Sequence, residues 1–384
     1  DVDHGGGNLT VTLTTATGGN LSASSGGGVT IGGSGSGILT LTGTLANLNT
    51  YLDTASNIQY LHSTANLNGN DADTITVKVN DNGNTGTGGG GDINLGTVNV
   101  DITAVNDAPE LDNSETFTLT DITEDQTNNS GDTVASIIAS LSGNRITDVD
   151  TSPSEGIAIR SISGGNGTWQ YSLDGSSWVD VGTVTTSTSL LLRSSDYLRY
   201  VPDAMNADTS SVSFVAWDQT TGTEGTKVNT TTTGGSTAYS DDVGTAQVTV
   251  TAVNDAPTIT NSATVSLPGT NEDTPSTPTD VSSILASAGW ADVDTGAVKG
   301  IAVTADSSNG NWQYSTDGTN WTSFSGITSS NALLLSASTL IRYQPDSLNG
   351  ETATFDFVAW DTTTGSASAF GSPSYADPGV GGNT

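Results

Sequence analysis

The 384-residue chain contains no cysteine and only two histidines, His4 and His62. It therefore cannot form a disulfide, use a cysteine nucleophile or build a Cys/His metal site. Both histidines lie outside any context that resembles a catalytic triad. The glycine-rich stretch at residues 26–37 lacks the Lys-Ser or Lys-Thr of a phosphate-binding loop. These absences predict that the chain is not an enzyme.

Basic residues are also scarce, since 8 lysines and arginines stand against 41 aspartates and glutamates, for a formal charge of −33. This balance argues against nucleic acid, whose phosphates need a basic surface, and against anionic membranes. No run of 18 or more apolar residues occurs, so no membrane insertion is predicted for this segment. No signal peptide opens the chain. The acidic balance fits a protein that holds divalent cations or lives in salty water, and extracellular chains without cysteine often use calcium instead of disulfides.

Short segments with alternating apolar and polar residues dominate what is present. They are rich in Val, Ile and Thr, and clusters of Gly, Asn, Asp and Ser separate them, as antiparallel strands and their turns require. Many short strands of this kind predict an all-β fold of antiparallel β-sandwiches. The clearest segments are Leu9–Leu13, Ile38–Leu41, Ile75–Val79, Val98–Ile102 and Gln247–Val253.

Two motifs repeat along the chain. Val-Asn-Asp-Ala-Pro occurs at Val105–Pro109 and again at Val253–Pro257, 148 residues later. Asp-Val-Asp occurs at Asp1–Asp3, Asp148–Asp150 and Asp292–Asp294. A period of about 145 residues fits one domain per repeat, so the chain is predicted to be a tandem array.

The repeats divide the chain into three modules, at residues 1–107, 108–255 and 256–384. By the phase of the motifs, we expect the first module to be incomplete at its N-terminal end and the third at its C-terminal end. Two short helices are predicted, at Asp132–Gly143 and Asp280–Gly289, because apolar residues recur there with helical spacing between an Asp and a Gly.

The second and third modules share a tryptophan block, at Trp169–Trp178 and Trp312–Trp321. The segment Gly167–Val181, which contains the first block, resembles a β-hairpin with Asp174–Gly175 as a predicted type I′ turn. Exposed aromatic side chains could stack on sugars, but tryptophan in a sandwich more often fills the core. We expect core positions here, and also for Trp217 and Trp360.

The repeated acidic motifs carry the only chemistry that the sequence suggests. Calcium takes six to eight oxygen ligands from carboxylates, carbonyls and Asn side chains. Asn106 and Asp107 offer such ligands between the first two modules. Asp148 and Asp150 add two carboxylates that point the same way from an extended segment, and Asp218 follows a late strand. We call these residues the first joint.

A second joint is predicted at the equivalent positions between the second and third modules. Its residues are Asn254, Asp255, Asp292, Asp294 and Asp361. Acidic pairs near the module starts, at Glu124–Asp125 and Glu272–Asp273, are further candidates. The competing interpretation is that these residues are ordinary turn formers in solvated loops. The recurrence of the motifs in register favours metal binding.

Together, the Asn-Asp-x-Pro linker, the early Glu, the Asp-x-Asp triplet and the late Ala-x-Asp resemble the calcium-linker motifs of cadherins. Over essentially the whole chain, the pattern is similar to the bacterial cadherin-like tandem modules of large surface adhesins and repetitive exoproteins. The resemblance implies cadherin-like or Ig-like Greek-key sandwiches in an elongated array. It also implies Ca²⁺ at the joints and a location outside the cell, at the cell surface.

The resemblance assigns each ligand to a joint. Asp148, Asp150 and Asp218 would join Asn106 and Asp107. In cadherins the early Glu serves the far end of its own module, so Glu124 would join the second joint. The Asp-Arg-Glu element of cadherins has no clean counterpart, although Asp203 and Asp346 lie in about the right region, which leaves the number of ions per joint open.

Three functions are therefore compatible with the sequence. The first is an extender segment of a large adhesin or surface fibre, made rigid by calcium, whose partners are neighbouring modules of the same or adjacent chains. The second is a set of sandwich modules that bind glycans or cell-surface proteins through exposed aromatics. The third is a filament subunit that assembles by strand exchange. Exposure of the tryptophans discriminates the second from the first.

Overall fold

The computed structural model describes residues 5–84, 90–260 and 264–379. Strands dominate this part of the chain, and nearly all of their pairings are antiparallel. The all-β prediction is therefore confirmed. The Asp1–Asp3 triplet and His4 lie outside the described residues. No described helix is long and apolar enough to cross a membrane.

The first module forms two sheets around one core. Strands β3, β4, β1, β6 and β7 pair in that order, and β2 pairs with β5. Its strands are β1 (Leu9–Thr15), β2 (Gly19–Ala23), β3 (Thr30–Gly32), β4 (Ile38–Gly43), β5 (Ile58–His62), β6 (Gly69–Asn80) and β7 (Ile93–Ile102).

The second module has two main sheets and a small pair, β8 with β12. One main sheet has the order β10-β20-β18-β13-β16-β19, with β9 also on β20, and the other has the order β11-β17-β14-β15. The strands are β8 (Glu110–Leu111), β9 (Phe117–Thr118), β10 (Ile122–Thr123), β11 (Asp132–Thr133), β12 (Ile146–Thr147), β13 (Gly156–Ser163), β14 (Thr168–Ser172), β15 (Val179–Asp180), β16 (Ser189–Arg193), β17 (Tyr197–Val201), β18 (Asp208–Trp217), β19 (Lys227–Val228) and β20 (Gly244–Thr251).

The third module repeats this plan in reduced form. Its sheets have the orders β21-β26-β23-β24 and β27-β22-β25-β28. The strands are β21 (Thr279–Asp280), β22 (Gly300–Ser307), β23 (Asn311–Ser315), β24 (Thr322–Ser323), β25 (Ala332–Ser336), β26 (Leu340–Gln344), β27 (Thr354–Trp360) and β28 (Tyr375–Ala376).

Each module has its own hydrophobic core. Leu13 and Leu41 lie in the first core, Ile159 and Phe214 in the second, and Leu333 in the third. In the second and third modules, residues from both main sheets line the same core, which is the packing of a β-sandwich. The described chain forms two compact units. One contains the first module with Thr147–Ser154 and Thr232–Ser240, and the other contains the rest of the second module and the third.

Three helices lie in the described residues: α1 (Leu45–Leu52), α2 (Val134–Ile138) and α3 (Val281–Ala288). The prediction for α3 is confirmed to the residue. Asp280 caps its N-terminus by accepting the N–H of Ser283 at 2.8 Å. Gly289 ends the helix in the left-handed conformation, with φ of 72°.

The prediction for α2 was too long and gave it the wrong cap. The N-cap is Thr133, and the helix ends at Ile138 rather than near Gly143. The carboxylate of Asp132 is instead used by Thr120, which donates its N–H at 2.9 Å and its hydroxyl at 2.8 Å. An aspartate already bonded to a neighbouring segment cannot cap the helix, so the next residue does so.

The type I′ turn predicted at Asp174–Gly175 is also wrong. Tyr171 pairs with Val179, so the connection spans residues 173–178. A type I′ turn needs positive φ at both central residues, and here only Gly175 has it, at 72°. The Asp174 carboxylate closes the longer loop by accepting the N–H of Ser176 at 2.8 Å.

Candidate functional site

The second joint begins with the pairing of β10 and β20. These strands are parallel, with Ile122 beside Val250 and Thr123 beside Thr251. Glu124 follows β10 and continues this register, because its N–H donates to the Thr251 carbonyl at 3.1 Å. Its carboxylate accepts the N–H of Val253, the residue before the linker Asn-Asp. The strand pairing therefore holds an early glutamate against a linker 130 residues later.

The linker and the following triplet are joined by hydrogen bonds through backbone amides. Asp255 donates its N–H to Oδ2 of Asp294 at 2.8 Å. Asp294 donates its own N–H to Oδ1 of Asp292 at 2.9 Å. These bonds orient three carboxylates around the linker and bring residues of the two repeated motifs into contact.

Asn254 connects the linker to the late strand β27. Its side-chain amide donates to Oδ2 of Asp361 at 2.8 Å and to the Asp255 carbonyl at 3.3 Å. Asp361 directly follows β27 and is buried. Its other oxygen accepts the N–H of Thr363 at 2.9 Å. Burial would raise the pKa of Asp361, but the hydrogen bonds outweigh it, so that the pKa lies below its ordinary value.

Carboxylate oxygens of Glu124, Asp255 and Asp294 lie within 4.8 Å of one another. Glu124 is buried, with 1% of its surface exposed, and the two aspartates are half-buried. Buried carboxylate oxygens normally have hydrogen-bond partners. Oδ2 of Asp255 and Oδ2 of Asp292 are buried and have none among the described residues. Such oxygens are free to bind a cation.

The electrostatics of the cluster agree with its geometry. Burial raises the pKa of Glu124, and the negative charges of Asp255, Asp294 and Asp125 raise it further. Burial likewise raises the pKa of Asp255, together with Asp294, Asp125 and other nearby acids. Like charges this close disfavour ionisation. At this cluster, burial and the neighbouring negative charges therefore both favour the protonated forms of Glu124 and Asp255.

Two acids that the sequence indicated without assigning them to a joint also belong to this neighbourhood. Asp125 contributes to the raised pKa of both Glu124 and Asp255, and Asp203 contributes to that of Asp255. Asp203 lies just after Pro202, in the Tyr-x-Pro-Asp segment that follows β17. The sequence indicated Asp203 only by its rough position relative to the Asp-Arg-Glu element of cadherins, and it did not assign Asp203 to a joint.

The first joint has the same local arrangement. Asp107 donates its N–H to Oδ2 of Asp150 at 3.0 Å, and Asp150 donates to Oδ1 of Asp148 at 2.8 Å. The Asn106 side chain donates to the carbonyls of Asp107 and Thr237, each at 3.1 Å. The sequence did not indicate the contribution of Thr237, because this loop has no repeated motif.

Other candidates are distributed as follows. Asp218 is buried and accepts the N–H of Thr220 at 2.8 Å, but it belongs to the other compact unit, so its part in the first joint stays a prediction. Glu272 and Asp273 are exposed. Asp1 and Asp3 lie outside the described residues.

Asp73 shows what a structural buried acid looks like in the same protein. It is 1% exposed and accepts the N–H groups of Thr17 and Thr74 at 3.0 and 2.7 Å and the Tyr60 hydroxyl at 2.8 Å. Despite burial, these bonds hold the pKa of Asp73 well below its ordinary value. This carboxylate is fully satisfied by the protein, unlike those of Asp255 and Asp292.

The tryptophans divide into two sets. Trp169, Trp217, Trp312 and Trp360 are at most 5% exposed and lie in buried clusters or sheet faces, as predicted. Trp178 and Trp321 are half-buried. The guanidinium carbons of Arg199 and Arg342 lie 4.0 and 3.9 Å from their ring centroids. One face of each half-exposed ring is thus already covered by a cation, which leaves less of it to stack on a sugar.

Comparison with known proteins adds little to this geometry. No protein family model matches the sequence, and no curated protein matches it. Among solved structures, extracellular cadherin domains 3–6 of Protocadherin Gamma B2 align with 89% of this chain and the Protocadherin GammaB4 extracellular domain with 90%, each at 11% identity and a TM-score of 0.28. The chain spans 66% and 44% of their respective lengths. At this score the similarity supports no statement about function.

Proposed function

We propose that this chain is a structural extender whose joints bind calcium and thereby fix each module to the next. The observation that carries the proposal is the convergence at the second joint. Glu124 from the second module, Asp255 from the linker and Asp294 from the third module bring carboxylate oxygens within 4.8 Å of one another. A bound cation would offset the negative charge that these three segments, distant in sequence, bring together.

The donor set favours calcium over other ions. Every candidate ligand is an oxygen, and the chain has no cysteine for a softer metal. Calcium tolerates six to eight oxygens in flexible geometry, whereas magnesium demands a near-ideal octahedron. Glu124, Asp255, Asp292 and Asp294 would supply carboxylate oxygens, and Asn254 and Asp361 would orient the linker beside them. Asp203 and Asp125 are near enough to add negative charge.

Ion binding is coupled to stiffness through this arrangement. Without a cation, the clustered acids repel one another across the linker, and burial together with this repulsion raises the pKa values of Glu124 and Asp255. A bound Ca²⁺ would supply the opposite charge and shared ligation. At a calcium concentration 100 times the Kd, one site adds about 2.7 kcal/mol to the free energy of unfolding. Binding thus stabilises the form in which the two modules are held together.

The first joint is proposed to work in the same way. Asn106, Asp107, Asp148 and Asp150 repeat the hydrogen bonds that connect linker and triplet in the second joint. A protein of this kind is non-enzymatic and works outside the cell, where free calcium is abundant. We infer that it is a spacer within a longer adhesin or surface fibre. The half-covered rings of Trp178 and Trp321 give the glycan-binding alternative less support.

The proposal is tested by measuring calcium binding, thermal stability and size on the same samples. Titration calorimetry should show saturable binding, the melting temperature should rise with calcium, and X-ray scattering should give a narrower distribution of end-to-end lengths than in chelator. With Asp255→Asn, the calcium concentration needed for half-saturation and for the same rise in melting temperature should increase at least tenfold. Asp273→Asn, which changes an exposed acid in the third module, is the matched control and should leave both unchanged.

Equal scattering curves and melting temperatures in calcium and in chelator would exclude the proposal. Equal effects of Asp255→Asn and Asp273→Asn would show instead that calcium acts on overall charge and not at the joint.

A further inference from the structure

A groove of about 610 Å³ runs along β27 of the third module. One wall is β27 itself with Phe355 and Phe357, and the opposite wall is the segment of residues 264–272 with Val265 and Leu267. Trp312 of the other sheet also lines it. Within the described part of the chain, β27 pairs only with β22, so its other edge carries unpaired backbone groups.

The second module shows what occupies the same place there. Strand β18, the counterpart of β27 at a spacing of 143 residues, has β13 on one edge and β20 on the other. Val212 and Phe214 of β18 are 0% exposed. Their counterparts Phe355 and Phe357 are only half-buried. Among the described residues of the third module, no strand occupies the position that β20 has in the second. This accounts for the greater exposure of Phe355 and Phe357.

Residues 264–272, on the opposite wall of the groove, also lack the partner strand that their counterparts in the second module have. In the second module, β9 and β10 are strands because they pair in parallel with β20. Val265 and Leu267 follow Phe117 and Leu119 by 148 residues, which is also the spacing of the linker motifs. Residues 264–272 have no strand pairing. Both walls therefore present the edges that a strand of the β20 type satisfies.

We propose that this groove binds an added β-strand of the β20 type, with small or β-branched apolar residues at alternate positions and Thr or Gln between them. The strand would run antiparallel to β27 and parallel to residues 264–272. Main-chain hydrogen bonds to both walls would supply affinity, and the apolar side chains would cover Trp312 and Phe355. This inference does not depend on calcium and holds if the joints bind no metal.

The register follows from the second module. Val212 pairs with Ala246 and Ser213 with Thr245. At the spacing of 143 residues, the residue equivalent to Ala246 lies opposite Phe355, and the one equivalent to Thr245 lies opposite Asp356. This register places alternate apolar residues of the added strand over the open core.

The first test is a peptide of residues 244–255 added to the full chain in chelator. Saturable binding is expected, with a rise of several degrees in the melting temperature and a change in tryptophan fluorescence. A peptide with Gln247→Pro is the matched control. Gln247 of β20 pairs on both edges, with Ser211 and with Thr118, so proline removes a needed amide donor. Its affinity should fall at least tenfold, and equal binding of the two peptides would overturn the proposal.

The second test locates the bound peptide by disulfide trapping, which the absence of cysteine makes specific. Opposed residues of an antiparallel pair have Cα atoms about 4.5–5.5 Å apart, within disulfide range. Asp356→Cys in the chain should cross-link to the peptide carrying Thr245→Cys. Ser213→Cys is the control, because β20 already occupies that edge in the second module.

Cross-linking at Ser213→Cys as efficient as at Asp356→Cys would refute the assignment to the third module. Disulfide-linked dimers of Asp356→Cys that the peptide cannot prevent would also refute it, because they would mean that two copies cover the groove by pairing their own edges.

Discussion

At the scale of single residues, Asp255 and Asp292, two of the proposed ligands, differ from Asp73 in how completely the protein hydrogen-bonds their carboxylates. Asp73 accepts four hydrogen bonds, from the N–H groups of Ala16, Thr17 and Thr74 and from the Tyr60 hydroxyl, and both of its oxygens are used. Asp255 and Asp292 each keep one buried oxygen without a partner in the described structure. Sequence composition cannot make this distinction, because all three residues are aspartates in polar surroundings.

At pH 7, Glu124→Gln should raise the melting temperature of the chain in chelator and lower it in calcium. Because the folded-state pKa of Glu124 is raised above its ordinary value of 4.5, the folded protein binds more protons than the unfolded chain just above that pH. In chelator, stability therefore falls as the pH rises through this interval. Glu124→Gln removes the titrating group, so its melting temperature should fall less between pH 4.5 and pH 7.

In calcium at pH 7, the unmodified chain should instead have the higher melting temperature, because Glu124→Gln lacks one of the proposed ligands. The control is Glu272→Gln, at the exposed counterpart in the third module. Melting curves across pH, recorded in both conditions, check the prediction, which fails if Glu124→Gln and the control have the same pH profile.

At the scale of elements, the sequence patterns predicted several strands correctly but missed one helix. The Val-Ile-Thr alternation of β1, β4 and β20 identified them correctly because one face of each is buried. Helix α1 was missed, since Asn47, Asn49 and Thr50 are poor helix formers and tertiary packing of Leu48 and Tyr51 decides the outcome.

The convergence at the second joint was only partly predictable for a related reason. The motif spacing led us to expect linker and triplet at one site, and the N–H of Asp255 donates a hydrogen bond to Asp294 there. The nearness of Asp203 depends on how the end of β17 is directed in three dimensions, and no local sequence pattern encodes that direction. Its charge acts on Asp255 only in the folded chain.

The two related helices provide a prediction at this scale. Asp280 caps α3 and accepts the N–H and hydroxyl of Ser283, each at 2.8 Å. Asp280→Ala should lower the free energy of unfolding by about 1 kcal/mol, as loss of an N-cap does. The control is Ser282→Ala, at the exposed second residue of α3, which should be neutral or slightly stabilising. Chemical denaturation of both variants measures the difference, and equal stabilities would contradict the capping role.

At the scale of the whole molecule, the charge of −33 is spread over the entire chain, with only 8 basic residues to offset it. Most of these acids are solvent-exposed and interact through water, so salt screens them strongly. The clustered acids of the joints are buried or half-buried and are screened less.

In chelator, raising sodium chloride from about 10 mM to about 300 mM should therefore increase the melting temperature, because screening weakens self-repulsion. In saturating calcium the same titration should give a smaller rise, since the strongest repulsion is already neutralised. Differential scanning calorimetry measures both series. A melting temperature that is independent of salt in chelator would mean that the negative charges do not destabilise the folded chain.

The parallel pairing of β10 with β20 also determines how the second module responds to tension. Strand β10 lies near the start of the module, and β20 leads directly into Asn254 at its end. A pull applied to the two ends of the module draws two parallel neighbours in opposite directions along their length. Their hydrogen bonds are then loaded together in shear and must break at once, instead of opening one after another. The pairing that positions Glu124 beside the linker is therefore also the one that opposes mechanical extension.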